Sequence, residues 1–237
     1  MKLTVLGKYG PFPPKNGATS GYLLQTENQN VLLDCGAGVY SRLACKINVK
    51  DLSFIIFSHL HFDHVSDFGV LSYALSFSQK KGKINVYLPN FDCDIYNALK
   101  KIDKFNLINV QENKIYKEGD LTLSFYKMTH PVLSYGVKIS NGKTNFAYTG
   151  DTTYNDNLQE LLSGVDLAVV DGAFLQKDYS ENKPHMSIRQ ASLLSKYAKR
   201  IIVSHISTNY SDIEVENEIR LVTKNAEVSK ENKTYEF

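Results

Sequence analysis

Four potential metal ligands fall within six residues in Ser58-His59-Leu60-His61-Phe62-Asp63-His64, directly after the apolar run Phe54-Ile-Ile-Phe57. Alternate residues of an extended segment face the same way, so His59 and His61 can hold one ion. Asp63 and His64, where the chain turns toward a helix, can reach a second ion nearby. Ligand sites in layered α/β proteins collect beyond the carboxyl ends of strands. Three more candidates follow strand-like runs in that way: His130 after residues 121–129, Asp151 after 145–149 and His205 after 200–204. One ion then takes His59, His61 and His130, the other takes Asp63, His64 and His205, and Asp151 bridges both. A bridging carboxylate and a bridging hydroxide hold two ions within the range in which two-metal hydrolysis works. Imidazole and carboxylate ligands suit zinc, manganese and iron alike.

The remaining apolar runs are short, rich in Val, Ile, Phe and Tyr, and closed by Gly, Asn, Asp or Pro. They predict strands over residues 3–6, 21–26, 31–34, 54–57, 84–88, 121–128, 135–139, 145–148, 167–170 and 201–203. Helical spacing of apolar residues marks 67–80, 94–101 and 188–199, the last opened by a capping-box pair, Ser187 and Gln190. Early hairpins followed by strand and helix alternation imply an α/β architecture of two sheets with helices outside them. No Pro-, Ser- or Gly-rich linker divides the chain, so residues 1–237 read as one domain, with 225–237 as a polar peripheral tail ending in a short edge strand. Twenty-seven basic against 25 acidic residues leave a net charge of +2, which argues against a protein whose affinity rests on many phosphate contacts. Cys35, Cys45 and Cys93 form no close-spaced pair, so neither a disulfide framework nor a thiolate zinc site is expected. With no signal-peptide core and no apolar stretch of membrane-spanning length, a cytoplasmic protein without a membrane partner is expected.

At His59, His61, Asp63 and His64 the chain resembles the metallo-β-lactamase superfamily, whose signature is His-x-His-x-Asp-His. Further blocks, Gly17-Ala-Thr-Ser-Gly-Tyr22, Leu32-Leu-Asp-Cys-Gly-Ala-Gly38, Tyr148-Thr-Gly-Asp-Thr152 and Ser204-His-Ile-Ser-Thr-Asn-Tyr210, are similar to those of the tRNA 3′-processing endonuclease RNase Z and related small phosphodiesterases. The ordered blocks span roughly residues 1 to 210. The resemblance implies a four-layer αββα sandwich, two divalent ions, usually Zn2+, at the edge between the sheets, and commonly a homodimer.

It also assigns the sixth histidine. The phosphodiesterase branch carries a histidine followed two residues later by Ser or Thr, matched here by His185 and Ser187, and uses it on the leaving-group side of the phosphate. An acidic residue closing a preceding strand orients that histidine; Asp171 of Asp171-Gly-Ala-Phe174 stands in that block, with Asp in place of the usual Glu. The implied reaction is hydrolysis of a phosphodiester by a hydroxide held between two ions, with His185 as general acid and Asp63 orienting the hydroxide. Thr19, Ser20, Ser207 and Tyr210 lie in blocks near the family's site and are weaker candidates for binding phosphate. Long-armed RNase Z enzymes insert a tRNA-gripping arm between the third histidine and the bridging aspartate. Here His130 to Asp151 spans only 21 residues and reads as a hairpin turning at Asn141-Gly142, so a small or cyclic phosphodiester is the better expectation. The alternatives are a tRNA 3′-processing enzyme, a thioester hydrolase of the glyoxalase II type, which has no evident use for His185 and Asp171, and a non-enzymatic metal-bound module. A redox di-iron role fits poorly, because that branch usually has Glu where His61 stands.

Overall fold

Strands that are apolar at nearly every position need cover on both faces. In the computed structural model, which describes all 237 residues from Met1 to Phe237, each strand of the centre is covered in that way. Two seven-stranded mixed sheets stack face to face. The first runs, in spatial order, Thr234–Glu236, Lys2–Gly7, Gly21–Gln25, Asn30–Leu33, Phe54–Ile56, Ile84–Leu88 and Phe105–Asn109. The second runs Ala226–Val228, Ile201–Ser204, Leu167–Asp171, Asn145–Tyr148, Ser134–Ser140, Leu121–Met128 and Ile115–Glu118. Each sheet changes from antiparallel to parallel pairing partway across, at Asn30–Leu33 in the first and at Asn145–Tyr148 in the second.

The period-2 alternation of a strand sorts its side chains between layers. Tyr22, Leu24, Val31, Leu33, Phe54 and Ile56 meet Phe125, Val137, Phe146, Tyr148, Val169 and Ile202 in the core between the sheets. Their neighbours Leu23, Leu32 and Ile55 face outward, onto Val39 and Leu43 of helix Val39–Ala44, Leu71 and Leu75 of Phe68–Phe77, and Leu99 of Asp94–Lys100. On the far side Ala168, Val170 and Val203 pack on Leu158 and Leu161 of Asn157–Leu162, Ile188 and Ala191 of Ile188–Leu193, and Val215 and Ile219 of Asp212–Arg220. The result is the four-layer αββα sandwich expected from the resemblance.

Some expected boundaries shift. The helix expected over 188–199 is α-helical only through Leu193 and tightens into a 3-10 turn at Leu194–Lys196. The one expected over 67–80 spans Phe68–Phe77, with the Asp67 carboxylate accepting the Tyr40 N–H at 2.9 Å. The expected capping box forms, Ser187 accepting from Gln190 N–H while the Gln190 side chain accepts from Ser187 N–H. The tail ends in the short edge strand expected there, Thr234–Glu236 beside Lys2–Gly7, but it is not peripheral, which corrects that part of the reading of 225–237: Tyr235 is buried and Ala226–Val228 extends the second sheet in parallel with Ile201–Ser204. Only a few apolar side chains in that stretch face inward, so its composition looks polar while its backbone completes both sheets. No helix is long and apolar enough to cross a membrane.

Candidate metal centre

Strand Phe54–Ile56 is buried throughout, and the chain leaves it through Phe57, whose N–H donates to Tyr87 O, and Ser58, whose N–H donates to Asp34 Oδ1 at 2.8 Å. Both anchors fix the exit direction before the first histidine. His59 and His61 follow, His61 in extended backbone, and a single helical turn, Phe62–Val65, carries Asp63 and His64. The second sheet supplies the rest from strand ends: His130 beyond Leu121–Met128, Asp151 beyond Asn145–Tyr148 and His205 beyond Ile201–Ser204. Gly150 takes φ +60° just before Asp151, and a Cβ there would lie 2.7 Å from Ser58 Cβ, so the two sheets meet at this point only because the residue is glycine.

All seven residues converge as the spacing anticipates. His59, His61, His130 and Asp151 form one group whose ligand atoms lie within 4.8 Å of one another; Asp63, His64, Asp151 and His205 form a second. In the first group His61 Nδ1 stands 3.0 Å from His59 Nε2 and 3.1 Å from His130 Nε2. The outer nitrogens of two of these rings are engaged, His59 Nδ1 with Ser58 Oγ at 3.1 Å and His130 Nδ1 with Pro184 O at 3.1 Å. A ring that donates from Nδ1 presents an unprotonated Nε2, so lone pairs face one another across the group, an arrangement that a shared cation stabilises. Nitrogens bound to one zinc at 2.0–2.1 Å in a tetrahedron stand about 3.3 Å apart, close to the spacing seen here.

In the second group His205 Nε2 lies 3.1 Å from Asp63 Oδ2, and the buried His64 Nε2 has no hydrogen-bond partner. Asp151 sits between the groups, Oδ2 at 3.6 Å from His59 Nε2 and 3.3 Å from His205 Nε2, and Oδ1 at 3.2 Å from His64 Nε2. An orphaned buried nitrogen aimed at two carboxylates fits a second cation. The residues thus fit a dinuclear centre with His59, His61 and His130 on one side, Asp63, His64 and His205 on the other, and Asp151 shared.

The electrostatics agree. Burial pushes the His59 imidazole well below its ordinary pKa, helped by the His64 charge, and burial also lowers His61 and His130, so these rings are held neutral. Burial acts the same way on His64, but the carboxylates of Asp151, Asp63 and Asp34 outweigh it and raise His64 well above the usual range. The Asp151 carboxyl, although buried, is held well below its ordinary value by His205, His64 and His59. That side of the centre favours positive charge.

The sequence pattern did not point to Asp34, which is buried at φ +54° after Asn30–Leu33. Its Oδ2 accepts from His64 Nδ1 at 2.7 Å, Ser58 Oγ at 2.8 Å and Tyr148 OH at 2.6 Å, which fixes the His64 tautomer. The available signal was a lone Asp closing an apolar strand in Leu32-Leu-Asp-Cys-Gly36.

His185 lies beside the ligands, Nδ1 2.9 Å from Asp171 Oδ2 and 3.9 Å from Asp151 Oδ2. Asp171 also accepts the Thr152 N–H at 2.9 Å and holds its other oxygen 3.8 Å from His205 Nδ1. Burial would lower the His185 pKa; the Asp171 charge and hydrogen bond prevail and raise it to about 9. Ser207 and Tyr210 line a cavity with Phe174, whose ring centroid stands 6.0 Å from that of His185. Thr19 and Ser20 do not behave as substrate-facing groups: both are buried, and Thr19 Oγ1 accepts the Ala37 N–H at 2.7 Å, which closes a loop. A separate cleft of about 940 Å3 lies among Met1, Gln25, Asn141 and Phe237 and contains none of the ligands.

Comparison with known proteins gives a consistent picture. The family model described as anti-Pycsar protein Apyc1 matches residues 1–228. A probable metallo-hydrolase of Bacillus subtilis, YhfI, is 32% identical over 212 residues, 87% of either chain, and the crystal structure of YhfI, a metallo-β-lactamase-fold protein, superposes with a TM-score of 0.92 over 99% of this chain and 98% of that one at 29% identity. A ribonuclease Z of Saccharolobus solfataricus is 24% identical over 266 residues, covering 90% of this chain and 91% of that one. A diphosphatase of the PhnP family shares the fold at a TM-score of 0.80 and 19% identity, over 100% of this chain and 97% of that one.

Proposed function

The chain belongs to the anti-Pycsar protein Apyc1 family, in the RNase Z-like branch of the metallo-β-lactamase superfamily, and is a metal-dependent hydrolase; on that premise we propose that it cleaves a small or cyclic phosphodiester. The observation that carries this reading is His185, which faces the cluster without belonging to either ligand group and is paired through Nδ1 with Asp171 at 2.9 Å. A thioester hydrolase has no evident need for such a pair, because thiolate is a good leaving group. An alkoxide leaving from phosphorus needs a proton.

In this reading two divalent ions, zinc with this imidazole-rich set, bind at the two groups and supply water activation and neutralisation of the non-bridging phosphate oxygens. The chain does the remainder. Asp171 accepts from His185 Nδ1, so the imidazolium presents its Nε2 proton to the departing oxygen, and the same carboxylate stabilises the positive ring until transfer. Asp63 orients the attacking water from the opposite group. Asp34, through Ser58 and His64, keeps the ligand rings turned inward. The connection from His130 to Asp151 is the short antiparallel hairpin Ser134–Ser140 and Asn145–Tyr148, with no arm to grip a folded RNA, which supports a small substrate over tRNA.

The test is zinc- or manganese-loaded protein assayed on bis(p-nitrophenyl) phosphate beside S-lactoylglutathione. Phosphodiester turnover is expected, and cleavage of the thioester alone would sink the reading. His185→Ala is expected to keep two metal equivalents by mass spectrometry and lose at least about 100-fold in kcat, the usual scale of a positioned proton donor. Asp151→Ala is expected to lose metal.

A further inference from the structure

Asp171 ends the buried strand Leu167–Asp171, and its two carboxylate oxygens serve different neighbours. Oδ2 accepts the His185 Nδ1–H and the Thr152 N–H, each at 2.9 Å. Oδ1 is buried without a hydrogen-bond partner, and the nitrogen 3.8 Å from it, His205 Nδ1, is buried and unpartnered as well. Buried polar atoms are seldom left unpaired, and each of these is the polar group that the other lacks.

The backbone brings the three residues to one place. Asp171 stands opposite Ser204 in the parallel register of Leu167–Asp171 with Ile201–Ser204, and the Gly172 N–H donates to Ser204 O at 3.0 Å. His205 follows directly in the left-handed region, at φ +60°, a conformation that a residue with a Cβ adopts only where its surroundings impose it. That turn stacks its ring on His185, with centroids 4.7 Å apart and planes 23° from parallel, so the two imidazoles lie side by side with their Nδ1 atoms toward one carboxylate. Nε2 of His205 lies among the second ligand group, 3.1 Å from Asp63 Oδ2 and 3.3 Å from Asp151 Oδ2. An imidazole can hold a cation on Nε2 only while its ring proton is on Nδ1, and a buried Nδ1–H then needs an acceptor.

We propose that Asp171 is a positioning residue for the second ion as well as for His185: its Oδ1 accepts the His205 Nδ1–H when Nε2 holds a cation, so one carboxylate sets the tautomer of a metal ligand and the orientation of the proton donor together. The inference rests on the dinuclear hydrolase reading above and adds to it a link between occupancy of the second group and the placement of His185.

Asp171→Asn separates the two roles, because an amide is asymmetric. Thr152 N–H and His185 Nδ1–H both require oxygen at the Oδ2 position, so the amide nitrogen falls at the Oδ1 position and presents a donor to His205 Nδ1. His205 is then driven to carry its proton on Nε2, the tautomer that cannot bind an ion. In zinc titrations against a competing chelator, affinity for the second equivalent is expected to fall about 10- to 100-fold in Asp171→Asn while the first is retained. His185→Ala, which keeps the carboxylate, should retain both. An unchanged second affinity in Asp171→Asn, or a loss shared equally by the two equivalents, overturns the proposal. Magnetic resonance of zinc-loaded wild type with isotope-labelled histidine gives a check that needs no substitution: the His205 Nδ1 proton should be hydrogen-bonded and slow to exchange with water, and rapid exchange overturns the proposal. Uptake of a single equivalent by the wild type would overturn the dinuclear reading and the proposal with it, whereas two equivalents bound unchanged in Asp171→Asn overturn the proposal alone.

Discussion

Asp34 concentrates three donors on one buried oxygen, at 2.6 to 2.8 Å from Tyr148 OH, Ser58 Oγ and His64 Nδ1. Asp34→Asn removes the charge that holds His64 with Nε2 facing Asp151, and zinc affinity measured by chelator competition should fall about 10- to 100-fold, with the loss concentrated in one of two equivalents. At His185 the sign of the pH effect follows from its partner. Asp171 raises the histidine to about 9, and the protonated ring is the active form, so turnover falls as pH rises through that value. In Asp171→Asn the raising charge is gone while burial still lowers the pKa, and the alkaline limb of kcat should move to lower pH; an unmoved limb would remove His185 from the proton-transfer step. The ligands were legible in sequence because residues two apart on an extended segment, and single residues after strands, are local patterns. Asp34 was not, since its worth depends on Tyr148, 114 positions away. Thr19 and Ser20 misled for the same reason: a Thr-Ser-Gly loop looks ready for phosphate until packing buries it.

The elements that carry the ligands are small. Phe62–Val65 is a single turn, too short to persist by its own hydrogen bonds. Chelation should therefore raise amide hydrogen exchange over residues 58–66 more than in Ile84–Leu88, which lies inside the same sheet. The two-residue strands Tyr9–Gly10 and Ile206–Ser207 pair in parallel and lay Gly10 against the His205 ring, where a Cβ would stand 2.1 Å from Nε2. Gly10→Ala is expected to displace His205 and leave a protein that retains the ion at His59, His61 and His130 but binds the second poorly, as metal counting would show. Such minimal strands leave no periodic trace, and neither did helix Asp212–Arg220, whose run of acidic residues masks inward Val215 and Ile219. Its capping box, Ser211 with Glu214, was the readable sign. The strands with alternating outward and inward apolar residues were legible throughout the centre of both sheets, because burial on both faces requires an almost unbroken apolar run.

Each proposed ion takes ligands from both sheets, His59 and His61 with His130, and Asp63 and His64 with His205, so occupancy joins the two layers directly. Metal at about a thousand times its dissociation constant stabilises a folded chain by about 4 kcal/mol. Removal should lower Tm by several degrees, and re-addition should restore it. On the outer surface Val70, Tyr73 and Phe77, 53, 70 and 87% exposed, lie about a turn apart along one helix, with Phe62, 72% exposed, preceding it. An apolar face of that kind supports the homodimer that the resemblance implies. Light scattering is expected to give twice the 26.8 kDa chain mass, and Tyr73→Glu with Phe77→Glu should halve it. The final strand has a consequence in time. Thr4 and Thr234, 230 positions apart, share a hydroxyl hydrogen bond of 2.8 Å where Thr234–Glu236 pairs with Lys2–Gly7. A contact of that range forms late, because the chain must close an almost complete loop to make it. Until then the nascent first sheet presents a bare edge to any passing strand, so the interval before closure is when this protein is most prone to aggregate.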